Sequence, residues 1–494
     1  MSCPRLSEAP GAGAALGRSR SLIKFRMTVE VFQGDDGGHQ DLKTTSMEIE
    51  KLYELFKQSS GVSTDTRTIR GGELFFGLKG ENFDGSKYAA AALEKGASYA
   101  IVNEYAASDD ERVIAMPDTL EALQYLARWH RERTFVNGKR LTVIGLTGTN
   151  GKTTTKNLIT SVLAKKYNVT ATEGNLNNDI GVPLSLLKIN DKTELAVIEM
   201  GASHPDDIKH LVAVCEPDYG LITNVGKAHL LGFGSFEGVK KAKGQLYDYI
   251  AERHGSIFMN ADDPILKEMA YERRGLNIIE YGIGYWGAEV LPSDAEHPFV
   301  RMAIPEHPGE YSEDETLLGM ETHLVGAYNA NNVAAALAIG LHFGVSLEDA
   351  ISAVEEFVPS NNRSQMARTT KNILIEDFYN ANPTSMNAAL DNLETIVAGK
   401  KVVMLGDMRE LGDESVAEHR SVIRRLLNMN LQGVFLVGDE FKKAAEEEKA
   451  SRKVQLFGTS DELAQYIRNH PVEKSTILIK GSHSIQMEKV VPEL

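Results

Sequence analysis

Apolar residues in this chain come in short β-branched runs separated by helical faces, and that alternation predicts an α/β protein. The clearest run, residues 141–146, reads as a buried strand. Leu158, Ile159, Val162 and Leu163 follow it on one helical face. Runs at 195–199, 219–224 and 256–260 recur at helix-separated spacing and predict a doubly wound, mostly parallel sheet over a central domain of residues 138–359. Earlier, a strand at 72–78, a helix at 88–95, a strand at 99–102 and a helix at 120–133 predict a smaller α/β domain over 47–137. An amphipathic segment at 47–56 opens that domain, and Asn137-Gly138-Lys139 reads as the linker that closes it. Strands at 373–375, 402–405, 434–437 and 477–479, the last three each running into a glycine, predict a third, Rossmann-like domain over 360–494.

Residues 1–46 break the pattern. They are rich in Gly, Ala and Ser, carry Arg5, Arg18, Arg20, Lys24 and Arg26, and show no lasting periodicity. They read as a disordered leader, or as an extension ahead of a true start at Met47, in preference to an Arg- and Ser-rich targeting segment. With 494 residues the chain is too long for one core, so several domains are expected. The net charge of −16 argues against nonspecific nucleic-acid binding but leaves room for a local cationic site. Cys3 and Cys215 are the only cysteines, which excludes a disulfide framework and fits a reducing compartment. No apolar run approaches the roughly 20 residues needed to span a bilayer.

Candidate chemistry begins where the 141–146 strand breaks into Gly148-Thr149-Asn150-Gly151-Lys152-Thr153-Thr154 ahead of a helix. Strand, Gly-rich turn and helix N-terminus make a phosphate cradle, in a shorter form than the usual P-loop. Lys152 supplies a point charge to the terminal phosphates and Thr153 a hydroxyl to Mg²⁺. Glu199 ends a downstream strand, where a carboxylate could hold Mg²⁺ or serve as a helix cap or ion-pair partner. Asn329 and Asn332, spaced i and i+3, could face adenine or cap the Ala-rich helix they open. The stretch 174–183, with Asn175, Asn177 and Asn178, reads as a substrate loop or an Asx-turn loop. Arg363 precedes a strand ending in Asp377-x-x-Asn380-x-Asn382-Pro383. This pattern suits either a polar sheet edge with an arginine reaching the γ-phosphate, or a capped strand-to-helix turn. On their own, His229 reads as a lone loop or core histidine and Lys243 as a solvated helix lysine.

Together these stretches resemble the Mur ligase family of ATP-dependent amide-forming enzymes, from about Met47 to the C-terminus. The match rests on Ser63-Thr64-Asp65-Thr66-Arg67, the phosphate loop, the 174–183 loop, Glu199-Met-Gly-Ala202, His229, the 326–332 and 377–383 stretches, the 405–412 stretch and Lys480-Gly-Ser482. Within the family, Tyr379-Asn-Ala-Asn-Pro383 and Gly406-Asp-Met-Arg-Glu-Leu-Gly412 point to the branch that adds D-Ala-D-Ala. The Asp-Asn-Pro-Arg of the diaminopimelate-adding branch is absent. The chain departs from the family pattern at Tyr328 (usually His), Asn361-Asn362 (usually Gly) and His483 (usually Arg).

The resemblance implies a cytoplasmic, monomeric ligase of peptidoglycan precursor synthesis. It would join D-Ala-D-Ala to UDP-N-acetylmuramoyl-tripeptide through an acyl phosphate. The first domain would hold the uridine nucleotide through Ser63 to Arg67, the central one ATP, and the third the amine, with Asn380 and Asn382 among its contacts. Asp377 would join the ATP site. Two Mg²⁺ ions would be served by Thr153, Glu199, His229 and Lys243, the lysine as a CO₂-derived carbamate. Lys152, Lys243, His229 and Arg363 would be catalytic. The alternatives are a sister Mur or folylpolyglutamate-type ligase, or a P-loop ATPase switch.

Overall fold

The computed structural model describes residues 49–494 except 104–109, 294–298, 310–315, 360–364, 397–398 and 451, together with the backbone of Val29–Glu30 and Thr44–Thr45. These two dipeptides pair as antiparallel strands. The rest of the leader, Met47 and Arg363 lie outside the described residues.

Three α/β units follow one another. In the first, strands Val62–Ser63, Leu74–Gly77, Tyr99–Val102 and Val113–Ala115 form a four-stranded parallel sheet in chain order. Its last helix, Thr119–Arg133, starts where the Asp118 carboxylate accepts the N–H groups of Leu120 and Glu121 at 2.8 and 3.0 Å. Asn137-Gly138, expected within a linker, forms a tight turn. Asn137 (φ +51°) and Gly138 (φ +76°) are both left-handed and turn Phe135–Val136 back onto Lys139–Arg140 as a tight hairpin.

The central unit is a six-stranded, fully parallel sheet in the order Val169–Ala171, Leu195–Glu199, Thr142–Thr147, Tyr219–Ile222, Ser256–Asn260, Asn277–Tyr281. Side chains alternate across it. Ile144 and Leu146 bury themselves under helices Lys152–Ala164 and Asn329–His342, whereas Val143 faces the opposite layer with Leu211, Val212 and Leu246. All four apolar residues expected on one face of the Lys152–Ala164 helix are fully buried. After Thr142–Thr147 the chain adds strands first on one side and then on the other. The carboxyl end of that strand is therefore the switch point, where such sheets leave a ligand crevice. A small antiparallel sheet of Glu289–Leu291, Arg301–Pro305 and Leu317–Glu321 lies outside the alternating pattern.

The third unit has the order Gln365–Arg368, Ile373–Asp377, Thr476–Lys480, Lys401–Gly406, Gly433–Val437, Gln455–Phe457, parallel except for its first edge strand. Among the described residues no helix is long and apolar enough to cross a membrane.

The first unit is pinned to the central one by charge as well as by apolar packing. Arg131, fully buried, donates to Asp218 Oδ2 at 2.7 Å, and Arg140 pairs with Glu216 and Asp218 at 3.0 Å each. Two nitrogens of Arg131 have no hydrogen bond, so its charge depends on Asp218. Asp218→Ala is therefore expected to cost on the order of 3 kcal/mol, seen as a large fall in the thermal unfolding midpoint. Lys165→Ala, which removes a surface pair with Glu356, is expected to change stability by less than about 1 kcal/mol. Equal effects of the two would show that the buried pair does not hold the units together.

Candidate active site

The loop between strand Thr142–Thr147 and helix Lys152–Ala164 is shaped by two left-handed glycines. Gly148 has φ +148° and Gly151 φ +78°. A Cβ on Gly148 would collide with Thr223 Oγ1, and one on Gly151 would lie 2.6 Å from Asn332 Oδ1. Neither position tolerates a larger residue without displacing a neighbour. The loop is tied down by the turn after the neighbouring strand, Tyr219–Ile222. Thr149 N–H donates to Asn224 O (2.9 Å) and Asn150 N–H to Asn224 Oδ1 (3.0 Å), while Thr223 Oγ1 and Asn224 Nδ2 donate to Asn150 O (2.7 and 3.0 Å). With the N–H groups of Thr149 and Asn150 engaged, the donors left to an anion are those of the helix's own first turn, which have no intrahelical acceptor. Lys152 Nζ donates to the loop carbonyls of Gly148 (2.8 Å) and Thr149 (3.0 Å).

Behind the cradle lies Glu199, 1% exposed. Its Oε1 accepts from Thr153 Oγ1 at 3.2 Å and from Asn177 Nδ2 at 2.7 Å, and its Oε2 is buried with no hydrogen-bond partner. A desolvated carboxylate oxygen beside a hydroxyl is a hard-oxygen donor set, which suits Mg²⁺. Among the described residues no cluster of three His, Cys, Asp or Glu could cage a metal.

Lys243 is not a solvated lysine. It is 2% exposed on helix Phe236–Glu252, its Nζ lies 3.4 Å from Ala202 O, and it sits 5.8 Å from the centre of the Phe233 ring. Burial, helped by the charge of Lys152, holds its ammonium pKa well below the ordinary lysine range. His229, in the left-handed region at φ +51°, bonds through Nδ1 to Glu410 of the third unit. Burial lowers its pKa, and Glu410 opposes that shift.

A cavity of about 1060 Å³ opens where the carboxyl ends of the central and third sheets face each other. Glu199 and Asn260 reach it from central strands, Asp377 and Lys480 from third-unit strands. Of the expected nucleotide contacts, Thr149, Asn150, Gly151, Lys152 and Thr154 line it, as do Asn329, Asn332 and Asp377. The loop residues Asn175, Asn177 and Asn178 line it too, with Asn380. Asn332 and Asn329 are buried and bonded in series, Asn332 Nδ2 to Asn329 Oδ1 (2.8 Å) and Asn329 Nδ2 to Val325 O (2.8 Å). Asn382 lines a second cavity of about 580 Å³ instead. It caps helix Pro383–Thr395 through Ser385 N and also donates to Asn150 Oδ1 at 2.8 Å. Neither cavity is lined by Ser63, Thr64, Asp65, Thr66 or Arg67, where Arg67 forms an exposed pair with Asp65 at 2.6 Å.

The sequence also carries three family signatures, one per unit. A Mur ligase family catalytic domain matches residues 58–131, a Mur ligase middle domain 146–340, and a Mur ligase glutamate ligase domain 362–483. The chain is 33% identical to the UDP-N-acetylmuramoyl-tripeptide–D-alanyl-D-alanine ligase of Bacillus subtilis, covering 88% of this chain and 93% of that one. The chain belongs to the Mur ligase family. The fold agrees. MurF from Acinetobacter baumannii superposes with a TM-score of 0.76 at 31% identity, over 89% of this chain and 97% of that one. MurF from Thermotoga maritima in complex with ADP superposes with a TM-score of 0.76 at 25% identity, over the same shares of each chain.

In this Mur ligase, several residues on the cavity walls were visible in the sequence, at a strand end or in a stretch of family resemblance, without a role attached to them. Asn224 holds the phosphate loop. Lys480, 1% exposed, donates to Asp377 Oδ2 at 2.7 Å and to Asn380 O at 3.1 Å, and so fixes the third-unit edge of the site. Glu410 reaches His229 from a stretch that carried the family resemblance but had no role attached.

Gly151→Ala is expected to weaken ATP binding at least tenfold, about 1.4 kcal/mol, by pushing Asn332 out of place. Calorimetric titration measures the affinity and a thermal melt checks the fold. Wild-type affinity in the folded variant would mean that the loop–Asn332 contact does not shape the nucleotide site.

Proposed function

We propose that this chain joins D-Ala-D-Ala to UDP-N-acetylmuramoyl-tripeptide at the expense of ATP, giving the pentapeptide precursor of peptidoglycan. The observation that carries the reading is the large cavity. One wall is a phosphate cradle with a buried, half-unpartnered carboxylate, and the facing wall comes from a separate Rossmann-like unit. That is the layout needed to activate a carboxylate on one side and deliver an amine from the other.

A peptide carboxylate is a poor acyl donor because oxide is a very poor leaving group. Transfer of the γ-phosphoryl group of ATP converts it to an acyl phosphate. The neutral amine of the dipeptide then attacks the carbonyl, the amide forms, and phosphate leaves. Lys152, on the cradle helix, offsets charge building on the transferred phosphoryl. Glu199 and Thr153 would hold Mg²⁺, which supplies charge neutralisation at the phosphates. Lys243 is poised for carbamylation, since its depressed pKa favours the neutral amine that CO₂ requires. The carbamate would carry a negative charge and offer a second ion an oxygen ligand, and His229 would offer it a ring nitrogen. Asn175, Asn177 and Asn178 would meet the tripeptide end, and Asn380 the dipeptide. Ser63 to Arg67, away from both cavities, would read the distant uridine nucleotide.

The reading is tested by phosphate release with ATP, UDP-muramoyl-tripeptide and D-Ala-D-Ala, omitting each in turn. Release is expected only with all three present, and Lys152→Ala is expected to abolish it. Release from ATP alone would indicate a switch ATPase, and full activity with a different amino acid in place of D-Ala-D-Ala a sister ligase. Lys243→Ala is expected to lose at least a hundredfold in kcat, and short carboxylates such as acetate to restore part of it. An unrescued variant with wild-type kcat would remove the carbamate.

A further inference from the structure

Strand Lys401–Gly406 runs into a loop whose backbone is held at three successive positions. Asp407, fully buried, accepts the N–H groups of Glu440 (3.1 Å) and Phe441 (3.0 Å). Met408 N–H donates to Nε2 of the buried His419 at 3.0 Å, and that ring's Nδ1 donates to Ser415 O at 2.7 Å. Arg409 N–H donates to Ser482 Oγ at 3.0 Å. This firmly held backbone places the exposed Arg409 at the wall of the 580 Å³ cavity, which it lines with Tyr379, Ser482 and His483.

Three nearby carboxylates make their hydrogen bonds to other groups. Asp407 is taken by backbone N–H groups, Glu410 by His229, and Asp377 by Lys480. No hydrogen bond or ion pair engages the Arg409 guanidinium among the described residues. The other cation on the third-unit side, Lys480, is neutralised by Asp377. The smaller cavity thus has a guanidinium on its wall that no carboxylate pairs with directly, although Glu410, bonded to His229, lines the same cavity. It also opens onto the larger one, since Asn175, His229, Tyr379, Asn380 and Glu410 line both.

We propose that Arg409 anchors the free C-terminal carboxylate of the incoming dipeptide in the smaller cavity, leaving its amine at the rim shared with the larger one. The inference rests on the ligase reading above. A dipeptide has its amine and carboxylate at opposite ends of a span of at most about 7 Å, so one fixed cation sets how far the amine reaches. A planar guanidinium meets a carboxylate through two parallel hydrogen bonds and so also fixes its direction. The nucleotide does not need this cation, because its phosphates have the cradle and Lys152 on the opposite wall. His483, its ring 6.0 Å from that of Tyr379, closes the cavity beside Ser482.

The test compares D-Ala-D-Ala with its C-terminal carboxamide in the wild type, Arg409→Gln and Arg409→Lys. Wild type is expected to prefer the free acid. Arg409→Gln is expected to raise KM for D-Ala-D-Ala by about tenfold or more, the scale of a charge-assisted hydrogen bond, with kcat and KM for ATP within about twofold. The acid-over-amide preference should vanish in that variant, and Arg409→Lys should recover part of it. Unchanged KM and preference in Arg409→Gln, or a loss confined to kcat, overturns the inference while the ligase reading stands. No turnover of D-Ala-D-Ala by the wild type overturns both.

Discussion

Asn150 joins the phosphate loop of the central unit to the third unit. Its backbone is locked to Asn224 and Thr223 of the neighbouring strand's turn, and its side chain meets Asn382, the residue that starts helix Pro383–Thr395. Around that contact the third unit is seated by Lys227–Glu418 at 2.7 Å, by Lys227 N–H to Thr384 Oγ1 at 3.1 Å and by Leu231 N–H to Glu410 O at 3.1 Å. Amide formation from two separately bound fragments depends on placement, because holding reactants at attack distance removes much of the entropic barrier. The cradle, the carboxylate behind it and the third-unit wall are useful only in the register that this junction sets.

Within that frame the electrostatics are arranged by burial. Lys243, Glu199 and Lys480 are each almost fully buried, and each meets a different fate. Lys480 is neutralised by Asp377. Glu199 keeps one buried oxygen without a hydrogen-bond partner. Lys243 is pushed towards its neutral form by desolvation and the nearby Lys152. In a water-poor pocket such fixed charges act more strongly than they would at the surface. By contrast, Cys215 is buried with its thiol pushed up to about 12 and lines neither cavity.

The parts of this architecture written in local pattern were legible in the sequence. The β-branched runs gave the parallel strands, and a glycine-flanked turn before a helix gave the phosphate cradle, because both follow from backbone sterics over a few residues. What depends on contacts distant in sequence was not. Lys240, Lys241 and Lys243 look alike in sequence, yet Lys240 pairs with Glu268, Lys241 is exposed and Lys243 is buried. The packing of helix Phe236–Glu252 against its neighbours decides which is which. Glu410 meets His229 across 181 residues, so no local signal could show the pair. Asn382 satisfies both the capping reading and a contact with the phosphate loop, through different atoms of one amide. The short strands between Glu289 and Glu321 escaped because three to five residues of mixed polarity carry no clear period.

The central claim is that the cradle and the facing domain activate a carboxylate as an acyl phosphate and pass it to an amine. Tracing oxygen tests it most directly. UDP-muramoyl-tripeptide carrying heavy oxygen in its terminal carboxylate is turned over with ATP and D-Ala-D-Ala, and the released phosphate is analysed by mass spectrometry. The account predicts one carboxylate oxygen in each phosphate released. Phosphate that carries no label, its new oxygen coming from water, would contradict it.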